Sequence, residues 1–124
     1  MSTATLAQRI ESIEAGYEYL LAYAAQGRRD EGGSEVRRTL SQMQAALSGL
    51  GDEVIRNFEA GVGAESAFLE AVDRDARTAH DAIGLVLSCP AIPSLLIDNL
   101  NASIHLRALL TDLFLIDQAL KAKT

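Results

Sequence analysis

The chain has 124 residues, enough for one domain that buries about two thirds of its unfolded surface without the help of metals or disulfides. Eleven basic residues against seventeen acidic ones give a net charge of −6. This charge argues against general binding to nucleic acid or to an anionic membrane surface. The one cysteine, Cys89, cannot form a disulfide within the chain or a cysteine-cluster zinc site.

Targeting and membrane signals are weak in this sequence. The first residues carry Arg9 and Glu11 and no apolar run typical of a signal peptide. The longest stretch without an acidic or basic residue, 82–97, is shorter than the ~20 residues of a spanning helix, and Pro90 and Pro93 interrupt it. We therefore expect a cytoplasmic protein. Nine of the eleven basic residues are arginine, which suggests a GC-rich bacterial genome.

Near the N-terminus, apolar residues recur at alternating steps of four and three, which places them on one stripe of a helix. They are Leu6, Ile10, Ile13, Tyr17, Leu20 and Ala24. Ser2 or Thr3 can cap the start of this helix, and Gly27 is the expected residue just past its end. The first helix is therefore predicted over residues 3–26.

A polar, glycine-rich turn follows, and Ser34 is a suitable N-cap for a second helix. The stripe of this helix continues in phase past Gly49 and Gly51, although each glycine costs about 1 kcal/mol in a helix interior. Its members are Val36, Leu40, Met43, Leu47, Leu50 and Val54. The unbroken phase favours one helix over 34–60, bent near Gly49–Gly51, with Asp52 as the cap if the helix breaks.

The third helix is predicted over 64–89, because Pro90 and Pro93 oppose its continuation. The last helix is predicted over 94–122. Strand patterns are absent from the sequence. Four helices of similar length joined by short connections favour antiparallel neighbours. The fold prediction is thus an all-α, up-down-up-down four-helix bundle that forms a single domain over 1–124.

The last predicted helix is apolar around most of its circumference, which is more than one bundle of four helices hides. The simplest explanation is a two-fold dimer through this helix, with Leu106, Leu109 and Leu113 at the interface. Cover by loops or by a bent second helix is the alternative within one molecule. Tyr19 and Tyr23 lie off the stripe of the first helix and are candidates for a second contact surface, or for core and rim packing.

A narrow polar seam interrupts the apolar last helix. Asp98, Asn101, His105 and Asp112 follow one another at steps of three, four and seven and fall on one side of the helix. The seam is either a solvated or register-fixing strip, or a surface on which His105 and its polar neighbours contact a ligand or a partner.

His80 lies on the third predicted helix in the segment Ala79-His80-Asp81-Ala82-Ile83-Gly84. This segment resembles the Ala-His-x-Leu-Lys-Gly motif of histidine phosphotransfer domains, which are helical bundles of this size. Ala79, His80 and Gly84 match the motif, whereas Ala82 and Ile83 replace its leucine and lysine. The resemblance implies that His80 is a candidate phosphoacceptor. The alternative is a surface histidine paired with a nearby acid, Asp81 or Asp73.

No catalytic residue, cofactor site or metal site is predicted. A di-metal centre in a helical bundle needs Glu-x-x-His pairs, but Arg77 and Ala102 stand three residues before the two histidines. Cys89, near a helix C-terminus, is expected to be unreactive. Arg28, Arg29, Arg37 and Arg38 cluster around the start of the second helix, where they form either an anion site or an ordinary solvated turn.

These observations predict a small acidic protein that acts without catalysis as an interaction or accessory protein, an adaptor or assembly factor. It is expected to form a homodimer and to bind a protein partner, but neither nucleic acid nor membrane. The alternative is a ligand-binding or signalling bundle, with a small molecule between its helices or a phosphotransfer-like role for His80.

Overall fold

The computed structural model describes residues 5–58, 64–104 and 106–123 of the chain. Six helices and no strands occupy these ranges. They are α1 (Leu6–Ala24), α2 (Glu35–Leu47), α3 (Leu50–Phe58), α4 (Ala64–Leu87), α5 (Ser94–Ser103) and α6 (Leu106–Lys123). The all-α prediction is confirmed, whereas the up-down-up-down order of a four-helix bundle stays a prediction.

Helix α1 begins at Leu6, later than predicted, because Thr5 forms a complete capping box with Gln8. The Thr5 hydroxyl accepts from the Gln8 N–H at 3.1 Å, and the Gln8 side chain accepts from the Thr5 N–H at 2.8 Å. At the other end, Gly27 has a φ of +65°, the left-handed conformation that favours glycine just past a helix.

The second helix, predicted over 34–60 with a bend near Gly49–Gly51, is interrupted at that place, because Ser48 and Gly49 separate α2 from α3. Ser48 is extended and Gly49 has a φ of +68°, so the chain leaves helical geometry where the first glycine permits it. Asp52 lies in the first turn of α3 and is not its cap. Residues 59 and 60 of this prediction lie outside the described part of the chain.

The predicted last helix over 94–122 is also divided, into α5 and α6. Ile104 follows α5 with a φ of −97° and a ψ of −2°, and residue 105 lies outside the described part of the chain. The Ser103 hydroxyl donates to the Leu100 carbonyl at 3.1 Å, a local bond that competes with regular helix geometry. This competition is a physical reason for α5 to end here.

One core joins the described helices. Helix α1 packs against α2, α5 and α6, while α4 packs against α2, α3, α5 and α6. Buried apolar side chains from every described helix contribute to it, and the stripe residues Leu50 and Val54 remain fully buried across the break. None of the described helices combines the length and the apolar character needed to cross a bilayer.

An arginine from α1 closes the α2–α3 junction. Arg9 donates to the carbonyls of Ala46 and Ser48 at the end of α2 and pairs with Glu53 of α3. The last carbonyls of a helix have no intrahelical donor, and they carry the negative end of its dipole. A cation placed there satisfies both needs and connects three helices.

A second arginine closes the α4–α5 junction in the same way. Arg37 of α2 donates to the carbonyls of Leu87, Cys89 and Pro90 at 3.2, 2.8 and 3.1 Å. Its Nε donates at 2.6 Å to Glu31, whose other carboxylate oxygen accepts from the Ile92 N–H at 2.7 Å. The acid therefore links the arginine to the connection between α4 and α5.

The same connection is fastened to α1 by buried bonds. The Tyr23 hydroxyl donates to the Ile92 carbonyl at 2.6 Å, and the Ser94 hydroxyl donates to the Tyr23 carbonyl at 2.7 Å. Arg28 and Ser94 exchange two further bonds: the Arg28 N–H reaches the Ser94 hydroxyl at 2.9 Å, and the Ser94 N–H reaches the Arg28 carbonyl at 3.0 Å. Residues far apart in sequence are thus fixed side by side.

Candidate functional site

The structure places the predicted interface leucines of the last helix in the core of a single chain. Leu106, Leu109 and Leu113 are buried, because the inner side of α6 packs against α1, α3 and α4. These three side chains are therefore not available to a second copy, and this correction removes them from any candidate interface.

Tyr23 is also buried, which agrees with the core-packing alternative and not with a contact surface. Its hydroxyl is bound to Ile92, and the Arg28 guanidinium lies over its ring at 5.3 Å from the centroid. Tyr19 is half-buried and stacks on Tyr23 with ring centroids 6.2 Å apart. Burial, and then the nearby Glu35 carboxylate, raise the pKa of Tyr19 above its usual range.

Three large apolar side chains point outward from the last two helices. Leu95 on α5 is 68% exposed, and Phe114 and Leu115 on α6 are 42% and 58% exposed. Leu113 and Ile116 beside them face the core, so α6 is apolar on its inner side and also carries apolar residues on its outer side. Hydropathy alone does not separate these two sets, and only the packing of α6 identifies the outward one.

The predicted polar seam is divided by the structure. Asn101 and Asp112 line one groove of about 590 Å³ beside α1, whereas the exposed Asp98 does not line it. His105 lies outside the described part of the chain. The lining of this groove consists of Tyr17, Asn101, Ala102, Leu106, Arg107, Ala108, Thr111 and Asp112.

The polar groups in this groove differ in their bonding. The Asn101 amide donates to the Leu20 carbonyl at 3.4 Å, while its side-chain oxygen is buried without a hydrogen-bond partner among the described residues. Burial raises the pKa of the Asp112 carboxyl, and the negative charge of Asp75 raises it further. Sequence reasoning missed Tyr17 and Arg107 as groove residues, because only the packing of α1 against α5 and α6 brings them together.

His80 lies in a second groove, of about 350 Å³, between the α2–α3 junction and α4. Its Nδ1 is 3.0 Å from the Asp81 carboxylate, and its backbone carbonyl accepts from the Gln44 amide at 3.2 Å. Arg77, one turn earlier, pairs with Asp73 at 3.0 Å. A side chain at Gly51 would overlap Asp73, so α3 begins in close contact with α4 here.

The described ranges offer little support for a metal site or for a reactive cysteine. No group of three His, Cys, Asp or Glu side chains there is placed to hold a metal ion. Cys89 is half-buried just past α4, with its sulfur 3.6 Å from the Leu85 carbonyl. Arg37 and Arg28 of the predicted anion site are engaged by protein carbonyls and side chains, which leaves that site without two of its four arginines.

Comparison of the chain with protein-family models, with curated proteins and with solved structures finds no match.

Proposed function

We propose that this protein is a non-enzymatic interaction protein that pairs with a second copy of itself through the outer side of α5 and α6. The observation that carries the proposal is the position of Leu95, Phe114 and Leu115, three large apolar side chains that remain in water on these two helices. Large apolar side chains left in water mark contact sites when they lie together on a surface.

A two-fold contact fits these residues, because it places the same side chains of both copies against one another. Burial of a leucine or phenylalanine side chain contributes about 1.5–3 kcal/mol to association before the entropic cost is subtracted. A protein partner of still unknown identity and a cytoplasmic location belong to the same proposal. The net charge of −6 supports a partner other than nucleic acid or an anionic membrane.

A phosphotransfer-like role for His80 receives less support. Three carboxylates, those of Asp52, Asp73 and Asp81, line the groove around it and would repel a phosphoryl group. Arg77, the nearby cation that lines the same groove, is already paired with Asp73. The pairing of Arg77 with Asp73 and the excess of carboxylates favour a structural role for the histidine.

The proposal is tested with Leu115→Glu, and the matched control is Leu85→Glu on α4, where the wild-type leucine is even more exposed. Light scattering after gel filtration, at several concentrations, is expected to give twice the monomer mass for the wild type and for Leu85→Glu. Leu115→Glu is expected to give the monomer mass with an unchanged helical circular dichroism spectrum. A monomeric wild type at every concentration, or a dimeric Leu115→Glu, would overturn the proposal.

A further inference from the structure

The groove between α1, α5 and α6 holds polar groups that the described protein does not satisfy. The apolar part of its lining is formed by Ala102, Leu106 and Ala108. Its volume of about 590 Å³ falls within the range of small-molecule sites. Small-molecule sites commonly combine such an apolar lining with a few polar groups that fix the orientation of the ligand.

Asn101 supplies the first of these groups. Its amide nitrogen donates to the Leu20 carbonyl, but its buried oxygen accepts no hydrogen bond from any residue that the structure describes. A buried acceptor without a donor is unfavourable, and most such atoms in folded proteins have a partner. A small rotation of the amide toward the groove would let a donor from a ligand reach this oxygen.

Asp112 supplies an anionic group on the same groove. It is half-buried, and no hydrogen bond or ion pair to another described residue reaches its carboxylate. Burial and the nearby Asp75 both raise its pKa. A cation bound beside Asp112 would offset both unfavourable effects, since it would attract the charged form of the carboxyl.

Arg107 supplies a cationic group five residues earlier on α6. Among the described residues, no side chain or carbonyl binds its exposed guanidinium. Thr111, one turn after Arg107, donates its hydroxyl to the Arg107 carbonyl at 2.9 Å and keeps its oxygen free to accept. At 1.5 Å per residue, Arg107 and Asp112 are about 7.5 Å apart along the helix axis, a span that two flexible side chains can close around a small ligand.

The groove around His80 offers an instructive contrast. There, Arg77 is paired with Asp73, and the His80 ring lies within bonding distance of Asp81. The cation and the histidine of that groove are thus already engaged within the protein. In the groove of Asn101 and Asp112 the opposite charges are held apart, so their natural partner is a molecule that carries both signs.

We propose that this groove binds a small zwitterion of the amino-acid class. The ammonium group of the ligand is held by the Asp112 carboxylate and the Asn101 oxygen, and its carboxylate is held by the Arg107 guanidinium. The apolar lining packs against the aliphatic part of the ligand. None of the three side chains of the dimer contact lines this groove, and its existence does not require two copies.

The test is a thermal-shift screen of the full chain with each of the twenty amino acids at millimolar concentration, followed by titration calorimetry. At least one amino acid is expected to raise Tm and to bind, while its decarboxylated amine and its deaminated acid bind at least about tenfold more weakly. Asp112→Asn and Arg107→Gln are each expected to weaken binding by at least about tenfold. The matched control Asp98→Asn, outside the groove, is expected to bind as the wild type does.

Three results would overturn the site. The first is that no amino acid binds the folded wild type. The second is that the amine alone binds as tightly as the amino acid, and the third is that the Asp112 and Arg107 variants bind with unchanged Kd. The readout here is binding and not mass, so a failure of this site would not affect the dimer proposal. Conversely, a monomeric protein that binds amino acids would support this site and overturn the dimer.

Discussion

The α2–α3 and α4–α5 junctions answer the same need with different numbers of bonds. Each places the C-terminal carbonyls of one helix against an arginine from a neighbouring helix, and each arginine is paired with a glutamate. At the α2–α3 junction Arg9 carries the arrangement beside Gly49. At the α4–α5 junction Arg37 acts together with the buried bonds of Tyr23 and Ser94.

This difference teaches how a short break in a helix is held in place. The α2–α3 break spans two residues and depends on one long side chain from α1. The α4–α5 connection is longer, contains both prolines and is bound from α1, from α2 and from the turn before α2. We therefore expect the first junction to be sensitive to one substitution and the second to lose its bonds in smaller steps.

The largest effect is expected from Arg9→Met, which keeps most of the aliphatic stem and removes the charge. The Arg9 side chain is only 12% exposed, so the substitution leaves the Glu53 carboxylate and two carbonyls without their donor. The free energy of unfolding, measured by urea denaturation, is expected to fall by about 3 kcal/mol. The exposed Arg74→Met on α4 serves as the control, and an equal loss in both variants would contradict this account.

Arg37→Met is expected to cost less, about 1.5 kcal/mol of unfolding free energy. The Arg37 side chain is 31% exposed, so water replaces part of what is lost, and the bonds of Tyr23 and Ser94 still fasten the connection. The same urea measurement checks it. If Arg37→Met destabilises the protein more than Arg9→Met does, the contrast between the two junctions is wrong.

The smallest effect is a pH dependence at the α4–α5 junction. The Ile92 N–H and then Arg37 lower the pKa of Glu31 below its usual value of 4.5. A carboxyl whose pKa is lower in the folded state stabilises the protein above its unfolded pKa, and this advantage is lost as the pH falls through the folded value. The wild type is therefore expected to exceed Glu31→Gln in stability at neutral pH, with the difference shrinking as the pH falls below about 4.5.

Urea midpoints measured from neutral to acidic pH check this expectation, with Asp30→Asn as the control on the neighbouring exposed acid. A difference between wild type and Glu31→Gln that stays constant, or grows as the pH falls, would show that the carboxylate of Glu31 does not act in this way.

The apolar stripes predicted much of the fold, because burial follows the helical period directly. Ile10, Ile13 and Leu20 of the first stripe are all buried, as are Leu40, Met43 and Leu50 of the second. The same stripes misled where continuity was concerned. A stripe reports which side of the chain faces the core, and two separate helices that pack on one core keep the same phase.

The position of the predicted interface could not be found from sequence for a related reason. A protein core and a subunit contact both exclude water and are both lined by apolar residues. The sequence pattern of Leu106, Leu109 and Leu113 is therefore the same for both roles, and only the neighbours of α6 distinguish them. Asn101 and Asp112, which the spacing put on one side of a single helix, line the same groove although they lie on different helices. The role of Arg9 was beyond local pattern, since the carbonyl of Ala46 that it binds lies 37 residues away.

The bonds between Tyr23 and the region of Ile92 and Ser94 have a consequence for the order of events during synthesis. The bonded residues are about 70 positions apart in the sequence. The helices that cover this side of α1, α5 and α6, likewise follow it late in the sequence. A ribosome therefore completes α1 long before it synthesises α5 and α6. Until α5 and α6 emerge, the nascent chain presents an apolar side of α1 without its cover and a Tyr23 hydroxyl without its acceptor.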